Sequence, residues 1–522
     1  MRALTGPAAA LALAVPGAPP MQLPGDAHSA SVRADRATWI VGARPSSRLP
    51  RAFGARRLTD GVWVVARSRA RPLARALRAR GQLVFAEPNR LSSELQQAPP
   101  PDPMSSQTPW RDQVVEQGLA PPPVTPTSPL LALVDSQLDA THPEFRGGNV
   151  STVGNQPVVN EHGTATAAVA AAPSNQTGIL GIWPGMRALN VALPGEITCA
   201  DSVHGILTAI KAKAQVINMS YGSPSLCFAE YLAIQAATAA GLTVVAASGN
   251  EFANGNPLEF PASLPHVLTV AAVGSDLHAS YFSSTSAAVD IAAPGQGILT
   301  AVPTSFDPEP PADGYAHLDG TSFAAPMVAA AAAWIRAARP ELSRDQVAQV
   351  LHRGAQDVER PGWDPATGWG VVSVGGALRA KTPPEDPLEP NDDIVWIDGQ
   401  AFGHPDPPVY SGKGTRRVLA ELDAYEDPND VYRVVVPGRR KARVTIKPVF
   451  GDPDLSVYNR AARAVADRRD LVSASHHTGR KGDGVTVFNR GRAKRTYYAR
   501  VFVHRGSPRL DTAYVMRVQR VR

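Results

Sequence analysis

Short apolar runs separated by Ala-rich stretches place the strongest constraint on how this chain can fold. The runs "LLALV", "AQVINMS", "LTVVAAS" and "HVLTVAAV" all have strand length. Parallel strands covered on both faces are apolar throughout, so these runs predict a parallel sheet. The stretches between them, such as "FAEYLAIQAATAAG", have helical spacing, and Gly241 is expected to end that helix. The alternation predicts an α/β domain with a doubly wound, mostly parallel sheet over residues 129–380.

The segments on either side of this domain have a different character. Residues 31–95 contain three short strand patterns around a helical run, Arg71 to Arg80, which predicts a small α+β unit. Residues 96–128 are rich in proline and are expected to form a linker and lead-in. Residues 381–522 contain alternating strands such as "KARVTIKPV" and "RTYYARVFVH", a pattern typical of a β-sandwich.

The charge of the chain is distributed unevenly along its 522 residues. Residues 31–90 carry a net charge of +11, residues 91–380 carry −13, and residues 381–522 carry +8. The arginines of "ARSRARPLARALRAR" are interspersed with Ala and Leu rather than with the aromatic residues that stack on bases. We therefore favour docking of the basic segment on the acidic domain over nucleic-acid binding.

The amino-terminal region indicates export. "MRALTGPAAALALAVPGAPP" combines one positive charge with a short apolar stretch followed by Pro and Gly, which is typical of a secretory signal in residues 1–30. The stretch is well short of the roughly 20 residues that span a membrane, and no other segment is apolar enough. The two cysteines, Cys199 and Cys227, could form one bridge in an exported protein or remain buried thiols in a cytosolic one.

Four polar residues lie at strand ends and helix starts, where the functional sites of α/β sheets usually form. Asp135 ends "LLALV", His162 and Ser322 each open a helix of small residues, and Asn250 follows "VVAASG". Each has a structural explanation alone, since Ser caps helices and Asp and Asn form turns. A serine at a helix start also lies in a positive field, and its own N–H can bind a developing oxyanion.

Taken together, the four residues resemble a known family. Their order along the chain, Asp then His then Ser, is that of subtilisin-like serine peptidases, the subtilases. "GTSFAAP" agrees with the family's nucleophile motif, "HGTATAAVAA" with its His helix, and "ALVDSQLDATHPEF" with its Asp strand. "VINMSYGS" and "VVAASGN" are similar to the two segments that line the primary specificity pocket.

The resemblance implies a role for each matching residue. Ser322 would be the nucleophile, His162 the general base and then acid, Asp135 the residue that orients His162, and Asn250 an oxyanion donor. The pocket-lining residues would be Ser220, Tyr221, Gly222, Ala247, Ser248 and Gly249. The expected activity is that of a secreted serine endopeptidase that cleaves protein or peptide substrates through an acyl-enzyme.

The same resemblance assigns the flanking segments. Residues 31–95 resemble an inhibitory propeptide, which implies self-cleavage between Leu91 and Trp110, and residues 381–522 resemble a pre-peptidase-type carboxy-terminal sandwich. We expect a monomer without an organic cofactor. EF-hand and zinc spacings are absent from the sequence, and although calcium is frequent in the family, no ligand for it can be assigned.

Two departures from the family pattern leave an alternative open. Gln137 stands where subtilases usually have glycine, and Glu161 stands where a glycine often precedes the histidine. A Gly-to-Gln change matters where the backbone needs a positive φ or where no side chain fits. The alternative is an inactive subtilase scaffold that serves as a secreted binding protein.

Overall fold

The computed structural model describes residues 34–43, 53–59, 61–94, 108–116, 119–175, 177–383, 388–399, 405–423, 427–465, 468–479, 481–504, 507 and 511–521. The predicted signal region, residues 1–30, and residues 96–107 of the predicted linker and lead-in lie outside these residues. The chain divides into two compact units, one with Thr38–Glu87 and the described residues after Pro384, the other with Pro88–Pro383. The five segment boundaries predicted from the sequence stay predictions.

The amino-terminal part has the α+β composition predicted for it. Its elements are β1 (Ala34–Ala43), β2 (Arg56–Thr59), β3 (Val62–Ala66), α1 (Arg67–Ala79) and β4 (Leu83–Glu94). The strands lie in one sheet in the order β4-β1-β3-β2, in which the β1–β3 and β2–β3 pairs are antiparallel. Helix α1 buries Ala70, Leu73 and Leu77, which are spaced three and four residues apart and so form one apolar face.

The unit that contains Pro88–Pro383 is built around a seven-stranded sheet. The strands of this unit, within and outside that sheet, are β5 (Leu131–Asp135), β6 (Val150–Val153), β7 (Ala188–Ala192), β8 (Ile197–Thr198), β9 (Val216–Met219), β10 (Tyr221–Gly222), β11 (Thr243–Ala247), β12 (Val267–Val273), β13 (Ile291–Pro294), β14 (Ile298–Ala301) and β15 (Tyr315–Leu318). Its helices are α2 (Pro109–Val114), α3 (His162–Ala171), α4 (Cys199–Lys211), α5 (Phe228–Ala239), α6 (Thr321–Ala338), α7 (Arg344–Gly354) and α8 (Val374–Arg379).

All strand pairs of the seven-stranded sheet are parallel, in the order β13-β12-β11-β9-β5-β7-β6. This confirms the doubly wound α/β fold predicted from the apolar runs. Strand β5 lies inside the sheet, between β9 and β7, so Asp135 ends a central strand. Gly241 has a φ of +81° directly after the last residues of α5, as expected for a glycine that ends a helix.

The carboxy-terminal residues form the predicted β-sandwich. After a short helix α9 (Ile394–Ile397), the strands are β16 (Thr415–Asp423), β17 (Asp430–Val436), β18 (Arg440–Phe450), β19 (Pro453–Asn459), β20 (Leu471–Ser475), β21 (Asp483–Asn489), β22 (Arg495–Val503) and β23 (Asp511–Val521). They make two antiparallel four-stranded sheets, β16-β23-β18-β21 and β17-β22-β19-β20. Buried side chains of both sheets, such as Val444 and Val434, meet in one core.

Helix α6 is the centre of the α/β core. Every residue from Thr321 to Ile335 is buried, and seven of these fifteen are alanine, which lets the helix lie close to the sheet and to α3. Near its end Trp334 packs against Trp183, with ring centroids 6.4 Å apart. This aromatic pair fills space that the alanines leave open.

We expect Trp334→Ala to lower the free energy of unfolding by about 3–5 kcal/mol, because it leaves a large cavity in a close-packed core. Thermal and denaturant unfolding would measure the loss. Val124→Ala is the control, since Val124 is 41% exposed and its truncation should change stability by less than about 0.5 kcal/mol. Equal losses in the two variants would contradict the central position of α6.

Candidate active site

Asp135 ends β5 with its carboxylate buried and hydrogen-bonded. Its Oδ1 accepts from the Ser136 backbone N–H at 2.7 Å and lies 2.6 Å from His162 Nδ1. Its Oδ2 accepts from the Thr166 hydroxyl at 2.9 Å. A carboxylate only accepts, so His162 Nδ1 carries the proton and Nε2 is the basic nitrogen. The predicted Asp–His pair is therefore assembled, in the tautomer that leaves Nε2 able to take a proton.

The junction between β5 and α3 fixes the position of His162. A Cβ on Gly163 would lie 2.2 Å from the Ser136 carbonyl oxygen, so only glycine permits this approach. The Ser136 hydroxyl accepts from Gly163 N–H at 2.9 Å and donates to Asn160 Oδ1 at 2.8 Å. These contacts place the first residue of α3 beside the end of β5.

Ser322 lies in the first turn of α6, where backbone N–H groups have no partner within the helix. Its hydroxyl donates to the Ser220 carbonyl at 3.1 Å, and the Ser220 hydroxyl donates to the Ser322 carbonyl at 2.8 Å. The ring of the next residue, Phe323, lies 6.0 Å from the His162 imidazole, measured between centroids. The helix start that carries Ser322 thus lies next to His162 and to the segment around Ser220.

Asn250 lies at the same helix start. Its Oδ1 accepts from both the backbone N–H and the hydroxyl of Thr321, each at 3.0 Å. The Thr321 hydroxyl also accepts from Gly249 N–H at 3.3 Å. Because the amide oxygen is held on Thr321, the orientation of the side chain leaves Nδ2 as its donating end.

Two edge strands flank a third strand at this site. Strand β10 pairs antiparallel with the end of β4, Tyr221 with Glu94 and Gly222 with Ser93. On the other side β8 pairs with Leu91 and Ser92. An extended peptide backbone therefore lies between β8 and β10, the second of which contains the predicted substrate-binding residues Tyr221 and Gly222.

The walls behind these edge strands are tied together. Cys199, the first residue of α4, forms a disulfide with Cys227, the residue before α5, with Cα atoms 6.3 Å apart. Of the two states that the sequence left open, the structure therefore shows the bridge. The Tyr221 hydroxyl bonds to Ser202 of α4 at 2.8 Å, and Ser202 donates to Glu230 of α5. These connections link α4, which directly follows β8, to β10 and to α5.

Gln137 does not disturb the site. It is absent from the residues with positive φ, and its side-chain amide donates to the Leu138 carbonyl at 3.0 Å. The backbone there is one that any residue can adopt, which answers the question raised by the missing glycine. Glu161 directly precedes α3 in a helical conformation that likewise needs no glycine.

Several residues that the sequence analysis missed support the site. Thr166 follows His162 by one helical turn, a spacing that could have identified it as a neighbour on the same face. Thr321 and the strand Ile197–Thr198 carried no separate signal, because their importance depends on contacts with segments distant in sequence.

No helix among the described residues is both long and apolar enough to cross a bilayer.

Comparison with known proteins agrees with this geometry. The subtilase family model matches residues 127–370. Subtilisin DY from Bacillus licheniformis is 34% identical over 258 residues, which cover 48% of this chain and 90% of the relative. The chain belongs to the subtilase family. This subtilase is accordingly a hydrolase of the serine endopeptidase type, with peptide substrates.

Fervidolysin from Fervidobacterium pennivorans is a second relative of this subtilase. It is 29% identical over 314 residues, which cover 53% of this chain and 44% of fervidolysin. Its crystal structure, described as that of a keratinolytic enzyme related to subtilisin, matches with a TM-score of 0.55 at 16% identity, over 94% of this chain and 93% of that one. This structural likeness concerns the fold.

We expect Gln137→Gly to change peptidase activity by less than about threefold, since the backbone at this position is unstrained. Stability should fall by roughly 0.5–1 kcal/mol, because glycine loses more backbone entropy on folding. Steady-state kinetics and thermal unfolding measure the two effects. A large gain in activity would show that the glutamine obstructs the site.

Asp319, three residues before Ser322, is a second buried carboxyl group. Its Oδ1 accepts from Gly297 N–H at 2.6 Å, and its Oδ2 has no hydrogen-bond partner in the described part of the chain. Burial raises the pKa of Asp319 from 3.8 to about 6. The folded protein therefore binds this proton more tightly than the unfolded chain, and stability decreases as pH rises from about 4 to about 6.

We expect Asp319→Asn to increase the melting temperature at pH 8, where the wild-type carboxylate is ionised, and to increase it less at pH 4. Asparagine keeps an acceptor for Gly297 and carries no charge. Melting curves across this range test the expectation, with Glu341→Gln as a control because Glu341 is exposed. A gain that is independent of pH would contradict the assigned pKa.

Proposed function

We propose that the protein is a secreted serine endopeptidase that uses Asp135, His162 and Ser322 as its catalytic triad and matures by cleaving itself. The observation that carries this proposal is the buried 2.6 Å hydrogen bond between His162 and Asp135, next to the helix start that presents Ser322. A serine hydroxyl is a weak nucleophile until an oriented imidazole removes its proton. The family's activity and this geometry together support the assignment.

In the proposed reaction His162 Nε2 takes the proton of the Ser322 hydroxyl while Oγ attacks the carbonyl carbon of the scissile peptide bond. The resulting oxyanion accepts from Asn250 Nδ2 and from the Ser322 backbone N–H. His162 then gives its proton to the leaving amine, and an acyl-enzyme forms on Ser322. Water, activated by the same imidazole, hydrolyses the acyl-enzyme. Asp135 stabilises the imidazolium in both steps.

Self-processing is supported by the backbone register of β4. Glu94 and Ser93 pair with Tyr221 and Gly222 in the way an extended substrate would pair with the edge of a cleft. An antiparallel partner continued by one residue beyond Glu94 would face Ser220, whose carbonyl accepts from the Ser322 hydroxyl. We therefore infer that the chain is cut shortly after Glu94 and that the preceding segment acts as an inhibitor until it is removed.

Secretion is supported by the disulfide and by the signal-like first residues. Disulfides persist in oxidising compartments and are rare in the cytosol. We propose that the mature enzyme acts outside the cell as a monomer. Calcium binding remains a proposal based on the family, without assigned ligands.

The triad is tested by labelling with a fluorophosphonate, which reacts with activated serines. We expect wild type to be labelled and Ser322→Ala to give only background, because the nucleophile is absent. Ser275→Ala, a substitution at an exposed serine, should label like wild type. A folded wild-type protein that resists the probe would favour the alternative, an inactive scaffold that binds other molecules.

The same proteins test maturation. We expect Ser322→Ala to remain at full precursor length, while wild type yields a shorter product whose amino terminus lies soon after residue 94. Intact-mass measurement and amino-terminal sequencing identify the cut. A precursor of Ser322→Ala that is shortened in purified form would show that another protease performs the cleavage.

A further inference from the structure

Glu259 is a buried carboxyl side chain beside the pocket segment Ala247–Gly249. Its residue is only 3% exposed. A Cβ built on Gly249, which has a φ of +112°, would lie 2.7 Å from Glu259 Cγ and 2.9 Å from Ser284 Oγ. Glycine at position 249 thus makes room for the glutamate side chain.

The other predicted wall of the pocket also reaches Glu259. Ser223 directly follows β10 and exchanges two backbone hydrogen bonds with Phe260, of 2.9 and 3.0 Å. Glu259 directly precedes Phe260 in the chain. Its backbone is therefore held beside the end of the Ser220–Gly222 segment, while its side chain packs on Gly249. Glu259 lies between the two segments that resemble the walls of the primary specificity pocket.

Among the described residues, neither a hydrogen-bond donor to Oε2 nor a positive charge offsets the burial of the Glu259 carboxyl group. Its Oε2 is buried, and within the described ranges no donor reaches it. Burial, together with the negative charge of Glu251, raises the pKa of Glu259 from 4.5 to about 8, and no positive group acts in the opposite direction. Ionisation of a buried, unpaired carboxyl group is costly unless a cation approaches it.

We propose that Glu259 forms the floor of the primary specificity pocket and selects substrates with lysine or arginine at the residue whose carbonyl Ser322 attacks. The inference rests on the function proposed above and adds a substrate class to it. A cationic side chain entering between the two walls would meet the Glu259 carboxylate. Glu251, whose Oε2 accepts from Asn254 at 2.8 Å, would add to the negative potential around the bound cation.

Discrimination follows from the polarity of the buried group. A lysine or arginine supplies the donor that Oε2 lacks and stabilises the ionised carboxylate. A leucine would supply no hydrogen-bond donor to the carboxyl group and would exclude the remaining water from it. Sites built around a buried polar group reject ligands that cannot pair with it much more strongly than apolar pockets reject a missing methylene.

The preference for lysine or arginine has to be measured with separate peptides, because self-cleavage of the precursor does not report it. Residues 95–110, where self-cleavage is proposed, contain neither lysine nor arginine. Cleavage within one chain benefits from a high effective concentration and from the fixed register of β4, so it can proceed without the preferred side chain. Cleavage of a free peptide depends on the pocket itself.

The test compares peptides that differ only in Arg, Lys or Leu at the residue before the scissile bond. We expect mature wild type to cleave the Arg and Lys peptides with kcat/KM at least about tenfold above the Leu peptide. Glu259→Gln has almost the same shape and should lose about ten- to a hundredfold on Arg and Lys, the size expected for a hydrogen bond between charged groups. The Leu peptide should change by less than about threefold.

Two further variants sharpen the result. Glu259→Asp keeps the charge and should retain part of the preference for Arg and Lys, while the exposed Glu341→Gln should behave as wild type. Fluorophosphonate labelling of each variant shows whether its active site is folded. A labelled wild type that prefers Leu, or a preference unchanged in Glu259→Gln, overturns the role of Glu259 and leaves the proposed peptidase intact. Failure of wild type to react with either probe or peptide overturns the peptidase proposal and this inference with it.

Discussion

The buried carboxylate of Asp135 is the group on which the arrangement of the site depends. A carboxylate taken out of water needs hydrogen bonds to both oxygens, and those donors come from Ser136, His162 and Thr166. Two of the three belong to α3, so the helix has to dock with its first turns at the end of β5. The requirement to satisfy one charged group thus positions the imidazole.

Small residues make this docking geometrically feasible. Gly163 permits α3 to touch the Ser136 carbonyl, and the alanines of α6 let its first turn approach both α3 and the end of the sheet. Helices with larger side chains would hold the backbones further apart and would separate Ser322 from the His162 ring. The aromatic pair of Trp183 and Trp334 restores close packing at the opposite end of α6.

The cleft beside this centre is shaped by polar groups of two kinds. Backbone groups of β8 and β10 bind an extended strand irrespective of its side chains, as their pairing with Leu91–Glu94 illustrates. Glu259, in contrast, places a buried carboxyl group beside the segment that follows β11, and Glu251 lies close to it in the chain. If Glu259 has the role that we propose, the edge strands accept many backbones while the pocket selects a cationic side chain.

The sequence by itself determined the α/β fold and the sandwich and identified the four candidate residues of the site, because apolar periodicity and short motifs are local properties. It also identified Gln137 as a departure, but only the structure shows that its backbone needs no glycine. The disulfide, the support from Thr166 and Thr321, the pairing of β4 with the cleft and the burial of Glu259 were decided by tertiary structure. Each depends on contacts between segments far apart in the chain, whose distances no local pattern encodes.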